Sequence, residues 1–226
     1  MELLIAGPAG PLEAIYHAPQ GPNGEILAVP RAVSVVCHPH PAHGGNMHST
    51  VTFRIAKGLE QAGVAALRIN FRGVGRSAGQ HHGAGAEGED AAAALSYLGE
   101  RHPGVSRWAA GFSFGSRTVF GLAQKDPSIE RLILVGFPAR VYPLPGVDQL
   151  ARPALFIWGE NDEFGVLADL RAQFPNLPPA FEFEQIPNAD HFFRRHTKQL
   201  EEHVQRWAEA ALGNRQDQSS SNHLRT

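Results

Sequence analysis

The sequence predicts an α/β domain, a mostly parallel sheet covered by helices on both faces. Three observations carry that expectation. Short apolar runs of strand length alternate with longer stretches of helical spacing through most of the 226 residues. The run AVSVVC (32–37) is apolar throughout instead of alternating, as a strand buried on both faces would be. No composition break and no internal repeat divides the chain, so one domain over 1–212 is expected, with the polar, aperiodic 213–226 as a disordered tail.

The elements follow in order. LEAIYHA (12–18) reads as an early strand and 32–37 as the next. Over 46–62, Val51, Ile55, Leu59 and Ala62 share one face of a helix, which Gly63 ends. VAALRINF (64–71) is a strand, followed by a Gly-rich loop and a helix over 87–100. SRWAAGF (106–112) is a strand that runs directly into a helix over 113–125. RLILVGF (131–137) and PALFIWG (153–159) are two more strands. A short helix covers 164–174, AFEFEQI (180–186) is the last strand, and 191–212 the last helix.

Composition narrows the class. Hydrophobic residues make up 42 % and charged ones 19 %, an ordinary globular balance. The net charge of −2 recommends neither a nucleic acid nor a membrane surface as partner. Cys37 is the single cysteine, so no intrachain disulfide can form, which fits a reducing compartment. The start, MELLIAGPAG, lacks the basic region and long apolar run of a signal peptide. No stretch approaches the ~18 apolar residues of a membrane helix. A soluble, cytoplasmic protein is expected.

The chemistry centres on GFSFG (111–115), a G-x-S-x-G placed where a strand ends and a helix begins. A sharp turn there would hold Ser113 in a strained conformation with its hydroxyl above the sheet. The free N–H groups of the new helix would face the same spot, where negative charge develops. A serine hydroxyl needs a base. FIWGENDEF places Asp162 just past a strand end, and IPNADHFF places His191 just past the next. Both therefore fall at the carboxyl edge of a parallel sheet, where such sheets build their sites. In this reading His191 is the general base and Asp162 orients it. GVGRSA (73–78) imitates a dinucleotide fingerprint, but GQHHGAGAEG cannot open a helix where one is needed, and no acid ends a strand about twenty residues on.

VVCHPHPAHGGNMH, LRINFRGVGRSAG, AEGEDAAAALSYL, AGFSFGSR, FIWGENDEF and NADHFF follow one another between about residues 33 and 193. In these pieces the chain resembles the α/β-hydrolase superfamily, specifically its small capless serine esterases related to dienelactone hydrolases and carboxylesterases. The resemblance implies an α/β-hydrolase fold without a cap domain. It also implies ester hydrolysis through an acyl-enzyme, a small-molecule ester as partner and no cofactor. Dienelactone hydrolases use a cysteine nucleophile; Ser113 here favours ordinary esters, with thioesters and peptides left open. The resemblance further places Arg72 in a loop beside the site, in a buried ion pair.

The run CHPHPAHGGNMH (37–48) admits two readings. His38, His40 and His43 fit H-x-H-x-x-H and could ligate zinc, with a bound water as nucleophile. Ala42 stands where the related metal motif has an acid, and the rest of the chain already supplies a serine-hydrolase set. In the other reading the loop gives one arm of an oxyanion hole, the Phe114 N–H giving the second. Pro39 and Pro41 have no N–H, and register with the H-G-x-P loops of related hydrolases selects His40. Gly44 and Gly45 would turn the backbone back under the site. His43, Met47, His48, Phe114, Tyr142, Phe164, Phe192 and Phe193 are the candidate pocket walls. A non-catalytic binding protein on this fold is the third reading; no missing triad member supports it.

Overall fold

The structure, a computed structural model, describes residues 1–81 and 85–223, with side chains through residue 213. Eight strands form one sheet: β1 (Glu2–Ile5), β2 (Leu12–His17), β3 (Ala32–Cys37), β4 (Val64–Ile69), β5 (Ser106–Phe112), β6 (Ile129–Val135), β7 (Ala154–Gly159) and β8 (Phe181–Ile186). Five α-helices join them: α1 (Thr50–Gln61), α2 (Glu87–Arg101), α3 (Phe114–Ala123), α4 (Leu167–Gln173) and α5 (Thr197–His223). The sheet order is β1-β2-β4-β3-β5-β6-β7-β8. β1, β2 and β4 pair antiparallel, and every pair from β4 to β8 is parallel.

Alternation along the central strands explains why they are apolar on both faces. In β3, Val33, Val35 and Cys37 point into the core under α2 and α3, while Ala32 and Val36 point into the core under α1 and α5. In β7, Phe156 and Trp158 face the first core, and Leu155 and Ile157 the second. Both strands are buried at every position. The helical faces match: Val51, Ile55 and Leu59 of α1 join Leu200, Val204 and Trp207 of α5 in the second core.

Topology locates the site. From β3 the chain goes through α1 to β4 on one side, then through α2 to β5 on the other side of β3. Strand order therefore reverses at β3 and β5, and the crevice beyond their carboxyl ends is where an open α/β sheet binds ligands. The HPHP loop leaves one of these strands and Ser113 leaves the other. Between β6 and β7 stands only a 3-10 turn (Val147–Gln149), so no cap covers that edge.

Several bounds differ from expectation. β1 was not foreseen in ELLI, which is short and sits at the sheet edge. α1 starts at Thr50, not 46, because Asn46 is committed to local bonds: its Nδ2 donates to Gly44 O (3.1 Å) and its Oδ1 accepts from His48 N–H (2.9 Å). Residues 191–196 form turns ahead of α5 instead of its first turn and a half, with Phe193 (φ 53°) and Arg195 (φ 64°) in the left-handed region. The backbone of α5 continues past 212; the side chains of 214–226, on which the expected tail falls, lie outside the described residues.

Candidate active site

Ser113 joins β5 to α3 with φ 53° and ψ −116°. Its N–H donates to Val135 O (2.8 Å), and its carbonyl accepts from Ser116 Oγ (2.6 Å) and Arg117 N–H (3.2 Å). The turn brings α3 against β3 so closely that a Cβ on Gly115 would lie 2.4 Å from Cys37 O. Only glycine fits there, which accounts for the last position of G-x-S-x-G.

The Ser113 hydroxyl donates to His191 Nε2 (3.0 Å), and His191 Nδ1–H donates to Asp162 Oδ2 (2.8 Å). Asp162 Oδ1 accepts from Phe164 N–H (2.9 Å), so the carboxylate is fixed at both oxygens. His191 and Asp162 are each 2 % exposed. The imidazole is walled by Phe112, Phe164 and Phe192, with ring centroids 4.9, 4.5 and 5.2 Å away. Beneath it lies Gly136 (φ 55°), where a Cβ would stand 3.0 Å from His191 Cε1. The three side chains that sequence order singled out thus form one hydrogen-bonded chain at the carboxyl edge of the sheet.

They open into a cleft of about 710 Å³. His40, His43, Phe114, Tyr142, Phe164 and Phe192 line it. Three expected wall residues do not. Met47 is fully buried because its backbone is pinned on both sides, by Asn70 Oδ1 (2.8 Å) and the Arg68 guanidinium (2.5 Å). Phe193 turns into the α1/α5 core. His48 is exposed on the far side of the loop, in a separate depression beside Asn46 and Arg76. Missed by sequence reasoning were Ser49, Thr50, Arg194, Arg195 and Thr197. The two arginines directly follow DHFF, but a helix drawn from 191 would have pointed them elsewhere.

Among the described residues, the histidine run does not form a ligand set. His38 is fully buried, its Nε2 accepting from Phe71 N–H (3.1 Å) and its Nδ1 donating to Pro39 O (2.6 Å). Both ring nitrogens are spent on backbone, and burial pulls its pKa down to about 4. His40 Nδ1 accepts from Ala42 N–H (3.2 Å), capping a 3-10 turn over Pro41–His43. Among the described residues, no group of three or more His, Cys, Asp or Glu side chains is placed to hold a metal ion. His40 instead packs its ring on Phe114 (4.8 Å) and His81 (5.1 Å), while His81 Nδ1 lies 2.5 Å from buried Glu87. His82 lies outside the described residues.

Arg72 is structural. Its Nε and Nη2 reach Asp90 Oδ1 at 3.0 and 2.7 Å, its backbone N–H reaches Asp90 Oδ2 at 2.9 Å, and Nη2 also reaches Glu89. The pair ties the end of β4 to α2, away from the cleft lining. Hydrogen bonding to Asp90 raises the Arg72 pKa further.

A serine on a strained strand-to-helix turn, a histidine and an acid in the order Ser, Asp, His, and a mostly parallel sheet define the α/β-hydrolase class. Comparison with known proteins narrows it: the chain belongs to the serine aminopeptidase S33 family of hydrolases, whose model matches residues 30–159. It is 31 % identical over 208 residues to an uncharacterized protein of Rickettsia prowazekii, covering 88 % of this chain and 84 % of that one. An α/β serine hydrolase homologue from Coxiella burnetii superposes with a TM-score of 0.82 at 32 % identity, over 91 % of this chain and 96 % of that one. XC6422 from Xanthomonas campestris, an α/β serine hydrolase without lid, gives 0.81 at 30 % identity, over 91 % and 92 %. No helix among the described residues is long and apolar enough to cross a membrane.

Proposed function

We propose that the protein is a serine hydrolase that cleaves small carboxylic esters through an acyl-enzyme. The observation that carries this reading is the Ser113–His191–Asp162 hydrogen-bond chain at the mouth of the cleft. Ser113 Oγ attacks the ester carbonyl as its proton passes to His191 Nε2. Asp162 holds Nδ1–H and stabilises the imidazolium. The protonated His191 then gives its proton to the departing alkoxide, and water attacks the acyl-enzyme by the same route in reverse. The oxyanion falls to the N–H groups of His40 and Phe114. Two facts support these donors: both residues line the cleft, and neither N–H donates to a protein group among the described residues.

The family's name speaks of aminopeptidases. An aminopeptidase must hold its substrate's α-ammonium, which calls for a carboxylate or several carbonyls beside the scissile bond. Among the described residues, no Asp or Glu lines this cleft. Ester cleavage makes no such demand. The cytoplasm remains the compartment we favour, on the single cysteine, Cys37, which is buried and free.

A fluorophosphonate probe tests the core of the proposal. Labelling of the wild type that disappears in Ser113→Ala is the expected result. Failure to label wild type that hydrolyses p-nitrophenyl acetate would sink it.

A further inference from the structure

Resting on the ester-hydrolase reading above, we propose that the cleft selects esters carrying an anionic group, a carboxylate near the scissile bond, with Arg195 as its partner. The two ends of the cleft are unlike. Pro138, Val141, Tyr142 and Phe164, from the loops after β6 and β7, make one end apolar. The other end is made by Ser49, Thr50, Arg194, Arg195 and Thr197. These meet because α1 and α5 pack side by side: Arg54 pairs with Glu201 at 2.7 Å, and a Cβ on Gly58 would stand 2.6 Å from Glu201 O.

Charge at that end is compensated only in part. Arg194 has a carboxylate, Asp190 at 3.0 Å. Arg195 has none among the described residues, although it is exposed and lines the cleft. The acid of the triad, Asp162, has a fully buried side chain and is spent on His191. Neither α1 nor α5 has an acidic residue in its first turn, whereas α2 has three. The positive ends of both helix dipoles therefore add to the guanidinium. The turn that replaces the start of α5, with Phe193 and Arg195 in the left-handed region, is what delivers Arg195 to the rim. Nothing in the proposed ester chemistry itself needs a cation there; a charged substrate group does.

Because the arginine is exposed, the preference should be modest, about fivefold, and weakened by salt. The test uses two matched pairs, each rate divided by that of spontaneous hydrolysis. One pair is the p-nitrophenyl monoester of glutaric acid against p-nitrophenyl pentanoate, with the charge on the acyl side. The other is 4-acetoxybenzoate against its methyl ester, with the charge on the alcohol side. The expected result is a kcat/KM ratio favouring the anion by about fivefold in at least one pair. That ratio should fall in about 0.5 M sodium chloride, fall in Arg195→Gln and persist in Arg195→Lys. A ratio at or below one in both pairs, or one that Arg195→Gln leaves unchanged, overturns the inference. Fluorophosphonate labelling of the same preparation separates the two failures. Labelled Ser113 with no charge preference removes this inference alone, whereas no labelling removes the ester-hydrolase reading with it.

Discussion

Ser113 is held at φ 53° and ψ −116°, a region that costs a residue with a Cβ on the order of 1–3 kcal/mol. Its hydrogen bonds to Val135, Ser116 and Arg117 keep it there. The return on that strain is a hydroxyl 3.0 Å from an imidazole whose tautomer is already set. The same economy of backbone governs His40, whose ring caps the local turn and packs on Phe114 while its N–H is left over. The two substitutions at this position should therefore separate. His40→Ala keeps the N–H and is expected to retain most turnover, whereas His40→Pro deletes it and should lose about 10²–10³ in kcat. Equal losses, measured with p-nitrophenyl acetate, would place the role in the ring instead. Ser113, Asp162 and His191 were legible in the sequence because order and strand-end placement restrict them. Met47 and Phe193 were not, since only the tertiary pinning of their backbones decides which way the side chains point.

At the level of elements, the loop after β3 is tied to the end of β4 by His38, whose ring bridges Pro39 O and Phe71 N–H. A neutral ring is required, because Nε2 must accept. Its pKa is pulled down to about 4 by burial, against 6.5 in the open chain. Between those pH values the unfolded chain binds a proton that the folded one does not, so this contribution is full above about pH 6.5 and shrinks as pH falls toward 4. His38→Gln, which cannot titrate, should be less stable than wild type at pH 7 by roughly 2 kcal/mol. That gap should narrow on acidification, as read by urea unfolding at several pH values; a gap independent of pH would contradict a neutral buried ring. Seven of the eight strands were readable from their apolar runs; β1, short and at the sheet edge, was not. The starts of α1 and α5 were not, because apolar spacing continues upstream of both while Asn46 and the 191–196 turns divert the backbone.

On the scale of the whole molecule, the reversal of strand order at β3 and β5 creates the crevice, and the absence of an insertion between β6 and β7 leaves it open. Both features follow from the order of elements along the chain, which is why class and site edge could be read before the geometry. The cationic end could not: it exists only because α1 and α5 lie side by side and because a turn replaces the first residues of a helix. Openness has a consequence for substrate length. The apolar end is rimmed by Val141, Phe164 and Phe192, which are 48, 37 and 45 % exposed. A short acyl chain can cover these surfaces and gain about 0.8 kcal/mol per buried methylene. A long one runs past them into water and gains nothing more, while the cost of ordering it still rises. With p-nitrophenyl acetate, butyrate and palmitate, kcat/KM should therefore rise or level off from acetate to butyrate and be lower for palmitate. Fastest turnover of palmitate would mean that the cleft closes over its substrate, by a movement of the segment between β6 and β7 that its short 3-10 turn gives no reason to expect.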